Sequence, residues 1–140
     1  MHDVIRTDES SARALALIVA ANGRVDERKL AALDRLDAFR RLGVSRERFV
    51  EMARTCLSEI GPQWCKNGWL HPVHAQYIDA LLHEVRSPRE RLLVCRFAAA
   101  VMVADGRITT DERIIFTRAL GRWGITQTMV SHAIMKDSVH

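Results

Sequence analysis

Apolar positions along this chain recur with helical spacing, and polar capping residues mark where each apolar run begins. Leu92, Leu93, Val94, Phe97, Ala98, Val101 and Met102 leave hardly any polar face, which predicts a helix surrounded by others. Leu30, Leu33, Leu36, Phe39 and Leu42 recur every three residues. At about 3.6 residues per turn such a row winds around its helix, so that helix should meet neighbours on more than one side.

Start signals supply the boundaries. Ser87-Pro88-Arg89-Glu90 has an N-cap Ser, Pro at the first helical position and Glu at the third, the pattern of a capping box. Thr109-Thr110-Asp111-Glu112 predicts a second box, with Glu112 reaching back to Thr109. Asp26 should cap a helix running to about Leu42, Ser45 one over residues 46–60, and Thr126 a last one to about Lys136. An N-terminal helix over about residues 8–21 and a middle one over about 73–85 complete the set. No alternating strand pattern occurs. The fold class expected is all-α, a compact bundle of about seven helices in a single domain over residues 1–140.

The segment 61–72 interrupts the pattern with Gly61, Pro62, Gly68 and Pro72, and holds Trp64 and Trp69. It reads as the start of a connector, about residues 61–87, with the Trp rings tucked into the joint. The parts on either side, about 8–60 and 88–136, resemble each other. Shifted by 83 residues, Ala12–Val25 falls on Cys95–Ile108 without a gap, aligning Arg13 with Arg96, Ala16 with Ala99, Gly23 with Gly106 and Arg24 with Arg107. Each copy turns on Ala-[Asn/Asp]-Gly-Arg-[Val/Ile], and Leu42-Gly43-Val44-Ser45 is echoed by Trp123-Gly124-Ile125-Thr126. An internal pseudo-twofold repeat is therefore expected, each copy running helix, corner, helix, Gly turn, helix. Gly23 and Gly106 supply the positive φ that closes a helix, and Val25 and Ile108 sit where hydrophobic staples would.

Composition narrows the function. Net charge is +4, and the 21 basic residues comprise 18 Arg and only Lys29, Lys66 and Lys136. They are scattered among Asp and Glu in runs no longer than two, the signature of an ion-paired helix surface rather than a nucleic-acid stripe. Three Cys with no CxxC spacing suit reduced thiols in a cytoplasm. The longest apolar stretch, Leu92 to Ala104, is 13 residues and contains Arg96, whereas a membrane span needs about 20.

Asp105-Gly106-Arg107-Ile108-Thr109-Thr110-Asp111-Glu112 reproduces the second half of an EF-hand loop: acidic residue, Gly, apolar anchor, final Glu. Val101 and Val103 occupy positions where that loop needs oxygen ligands, so a full EF-hand is excluded. In the first copy Asn22 replaces Asp105 and Lys29 stands at the place of Glu112. The corner therefore has two readings: helix capping, with Asp111 suiting the positive helix end, or a weak divalent-cation site at Asp105, Asp111 and Glu112.

The corner Ala104-Asp105-Gly106-Arg107-Ile108-Thr109-Thr110-Asp111-Glu112, with its partner Ala21-Asn22-Gly23-Arg24-Val25-Asp26-Glu27, resembles the tellurite-resistance TerB-like family over roughly residues 8–136. The resemblance implies a seven-helix fold, a bacterial cytoplasmic or inner-membrane-associated setting, a non-catalytic role in stress or tellurite resistance, and metal binding at acidic corners. Only Asp105 and Glu112 carry that acidic pattern cleanly.

Other constellations are weaker. Leu120-Gly121-Arg122-Trp123-Gly124-Ile125-Thr126-Gln127-Thr128-Met129-Val130 resembles a helix-turn-helix, the alternative reading, but its last helix offers little to attract phosphate. Cys56, Cys65, His71 and His74 have a C-x8-C-x5-H-x2-H spacing that fits no standard zinc site. Arg13 and Arg96 each sit on an apolar helix, read as a packed stem whose head pairs with a carboxylate such as Asp26 or Asp111, or as an anion-binding pair. No nucleophile–base pair or phosphate-cradling loop occurs. The expectation is a non-enzymatic module acting through contact with an unknown protein partner, membrane-associated or a second copy included, with no cofactor assigned and a divalent cation only on the second reading of the corner.

Overall fold

A computed structural model describes residues 9–21, 25–60, 65–66, 69–70, 72–106 and 109–138. The described elements are all helices apart from one short ribbon of two two-residue strands. In chain order they form α1 (Ser10–Val19), α2 (Glu27–Arg35), α3 (Ala38–Leu42), α4 (Arg46–Ile60), β1 (Cys65–Lys66), β2 (Trp69–Leu70), α5 (Pro72–His83), α6 (Pro88–Asp105), α7 (Thr110–Trp123) and α8 (Gln127–Ser138). The ribbon is antiparallel, pairing Cys65 with Leu70 and Lys66 with Trp69, in a segment whose sequence pattern predicts no strand. The Trp64 and Trp69 side chains and the Asn22-Gly23-Arg24 corner lie outside the described residues.

The surrounded helix is α1, not α6. All of α1 except Arg13 is buried, and α3, α4, α5, α6 and α7 pack on it. Ala12, Ala14 and Ala16 are the reason: their short side chains let neighbouring backbones approach from several directions. By contrast α6 buries Val94, Cys95, Phe97, Ala98, Val101 and Met102 but leaves Leu92, Leu93 and Ala99 half-covered and Val103 exposed.

The single helix expected over 26–42 is two. α2 ends at Arg35 with Leu36 as its C-cap, and Asp37 takes the left-handed conformation at φ 58°, a region that Asp tolerates better than most residues. Its carboxylate accepts from Arg40 Nε at 2.6 Å. The break resolves the three-residue apolar row. Leu30 and Leu33 on α2, and Phe39 and Leu42 on α3, all reach the core because the register resets between them.

Capping follows the sequence with one exception. Asp26 accepts from Lys29 N–H at 3.1 Å, Ser45 from Arg48 N–H at 3.0 Å, and Thr126 from Met129 N–H at 3.1 Å. Ser87 accepts from Glu90 N–H at 3.4 Å with Pro88 at the first position, but Glu90 does not complete a box. Its carboxylate instead accepts from the Ser11 hydroxyl, joining the starts of α1 and α6. Gly43, Gly106 and Gly124 all have φ of 66–77°, the left-handed closure of α3, α6 and α7.

Candidate functional site

The second corner is where α1, α2 and α7 converge. α6 ends at Asp105 and closes on Gly106 at φ 70°. Thr109 then caps α7 with the full box: Glu112 N–H donates to Thr109 Oγ1 at 3.1 Å, and Thr109 N–H donates to Glu112 Oε1 at 3.1 Å. The Thr109 hydroxyl donates a second bond to the same Oε1 at 3.0 Å. This geometry aims the Glu112 side chain inward, where it is 1% exposed.

Lys29 meets it there. Lys29 lies on the first turn of α2, held by the Asp26 cap, and is also 1% exposed. Its ammonium donates to the carbonyl of Val19, the last residue of α1, at 2.7 Å, and stands 3.4 Å from Glu112 Oε2. A cation at a helix C-terminus meets the negative end of the backbone dipole, and the carboxylate supplies the opposite charge. A fully buried ammonium survives only with such partners. The three helix ends are therefore tied by one side chain.

This arrangement bears on the three acidic residues singled out for a cation. Glu112 has Oε1 occupied by Thr109 and Oε2 facing an ammonium. No hydrogen bond reaches Oε2 among the described residues. Asp111 is half-buried on the outer side of the first turn of α7. The side chain of Asp105 lies outside the described residues. Calcium or magnesium needs about six oxygen ligands, and a positive charge next to one of them opposes it. Among the described residues no group of three or more His, Cys, Asp or Glu converges as a metal would require. Glu112 as it stands does not fit a metal ligand.

The other candidates separate. The Cys56 thiol is buried on α4, with burial pushing it up and a Tyr77 hydrogen bond opposing; Cys65 and His71 contribute no described side chain. Arg13 pairs with Glu84 at 2.9 Å, not with Asp26 or Asp111, because α5 runs beside α1 at that point. Arg96 is half-buried, and its guanidinium is lowered by burial and by the neighbouring Arg41, which lies over the Phe97 ring at 5.2 Å.

Sequence reasoning missed a second feature. Between the end of α6, the outer side of α7 and α8 runs an open groove of about 490 Å³. Its walls are Ala99, Met102, Val103, Phe116, Val130 and Ile134, and its rim is Arg113, Thr117, Gln127 and Ser131. Val103 at 76%, Met135 at 67% and Met129 at 44% are among the most exposed large apolar side chains, all on α6 or α8. The run of apolar residues through Met102 and Val103 is the available signal, but such a run points first to full burial.

The α7–Gly124–α8 hairpin has helix-turn-helix connectivity. Outward-facing residues on α8 are Gln127, Thr128, Met129, Ser131, His132 and Met135, with no Arg or Lys among those described. Among the described residues no helix is long and apolar enough to cross a membrane.

No protein family, no curated protein and no solved structure matches the chain.

Proposed function

We propose that this chain is a TerB-like helical module that acts by binding another protein, without a catalytic step of its own, in bacterial stress or tellurite resistance. The observation that carries the reading is the groove between α6, α7 and α8. An apolar trough with a polar rim suits the apolar face of a partner helix, with Arg113 placed to meet an acidic residue on that helix. Contiguous exposed apolar surface is what an interaction site leaves uncovered in the free protein. The nucleic-acid alternative has less support, because the outer side of α8 carries nothing described that would neutralise phosphate.

The pseudo-twofold repeat belongs to the same proposal. Lys29 and Glu112 are separated by 83 residues, the offset that superposes the two corners in sequence, and they touch each other. In a twofold arrangement residues beside the axis meet their own counterparts. The Gly turns agree: Val44 N–H donates to Phe39 O and Ile125 N–H to Leu120 O, each at 3.0 Å, the same helix-closing bond in both halves.

A photo-crosslinking residue placed at Val103, with Glu47 on α4 as the control position, tests the groove in cells. The expected result is one discrete adduct at Val103, absent at Glu47 and lost when Phe116→Asp is added to a chain that still folds. An adduct at twice the chain's own mass assigns the groove to a second copy instead, and no adduct at Val103 removes the reading.

A further inference from the structure

Lys29 is the one Lys among the described buried side chains, and its position is what makes it informative. It sits where the other corner has a carboxylate, and it points at that carboxylate. A Glu at both positions would leave two buried negative charges facing each other beside the carbonyl end of α1. Such a cluster would call for a bound cation. The ammonium removes that need from within.

We infer that the Lys29 ammonium is the resident cation of this corner: it stands in the charge position that a divalent ion would take beside Glu112, and the three helix ends close without metal. The geometry accounts for each part. The Val19 carbonyl at 2.7 Å is an oxygen donor of the kind a hard cation would use. The Glu112 carboxylate at 3.4 Å is the balancing charge, held in place by its bonds to Thr109. Unlike an ion, the ammonium is covalently part of α2, so it cannot be lost to a chelator or exchanged.

Thermal unfolding of the full chain tests it. With millimolar calcium, magnesium or manganese, or with EDTA, the wild-type Tm is expected to stay within about 1 °C. A rise of about 4 °C or more that Glu112→Gln abolishes would show a real metal site and overturn the inference. Lys29→Met is expected to lower Tm by about 10 °C or more, because one charge of a buried pair is left alone. Lys29→Met combined with Glu112→Gln, which keeps a residue able to close the box, should regain much of that loss. Additive losses in this cycle would mean that the two charges are not coupled, and would equally sink the idea. Lys29→Glu is the positive arm: its Tm should rise with at least one of the three cations where the wild type does not respond. If it folds and responds to none, Lys29 is not standing in for a cation. Should it fail to fold, the wild-type titration and the Met/Gln cycle still decide.

Discussion

Two hairpins in this fold begin alike and end differently. α3 turns at Gly43 into α4, and α7 turns at Gly124 into α8, both through a left-handed Gly and the same backbone closure. From there α4 runs into the core. Phe49, Met52, Ala53 and Cys56 are buried against α1, Phe39 meets Phe49 edge-on at 5.3 Å, and Arg48 holds Glu9 at the start of α1 with bonds of 2.9 and 3.1 Å. α8 buries Val130, half-buries Ile134 and leaves Met129 and Met135 outside. A shared turn thus sets the direction of a helix, while the residues beyond it decide whether that helix is structural or displays a surface. The open hairpin is the one beside the corner that keeps its acidic pattern.

The widest separation between the hairpins should come from truncating their anchors. Phe49→Ala is expected to cost about 3–5 kcal/mol, and Val130→Ala about 2 kcal/mol, by urea denaturation. If the two losses are equal, the core holds α8 no less firmly than α4 and the contrast fails.

Next comes the clamp behind α7. Asp79 on α5 accepts from Arg118 Nε at 2.6 Å and Nη2 at 2.8 Å, and also pairs with Arg122. The Arg118 hydrogen bonds hold its carboxyl below the usual carboxylate range, against the opposing effect of burial. A depressed folded value means stability that is present above the unfolded pKa of about 3.9 and lost as pH falls through the folded value. Asp79→Asn should cost about 1–2 kcal/mol at neutral pH and flatten that part of the acid limb. Hydrogen exchange should then quicken in α7 and α8 and not in α4. Loosening spread evenly over both hairpins would contradict the assignment of this clamp to the open one.

A smaller effect tests the shared turn. Gly124→Ala meets nothing within 4 Å, so its whole cost is the backbone at φ 66°, about 1 kcal/mol. Gly43→Ala, at φ 77°, should cost a similar amount if the turns are equivalent. The smallest stability change expected is at the groove. Val103→Ser should leave denaturation within about 0.5 kcal/mol of wild type. A clear loss there would mean that Val103 supports the fold rather than a surface.

Much of this is legible along the chain. The caps at Asp26, Ser45, Thr109 and Thr126 and the Gly closures at Gly43, Gly106 and Gly124 are settled within a few residues, and each stands where the residue types put it. The Asp37 break is harder to see, because Asp is an acceptable helix residue until the Leu register forces a reset. Glu90 illustrates the limit of motif reading: the box residues are all present, yet Ser11, 79 residues away, takes the carboxylate. Lys29 stands out in the sequence as a departure from the acidic pattern, but its partner cannot be read from that.

What the sequence by itself determined is the all-helical class, most helix boundaries and the chemistry of the described corner, since these depend on backbone preferences and bonds between near neighbours. Only the tertiary structure decided that α1 is the enclosed helix, that α8 leaves a groove, and that Lys29 closes on Glu112. Those outcomes turn on how closely small residues let helices approach and on which charges end up buried together. Burial makes such choices between residues far apart in the chain, and local spacing carries no record of them.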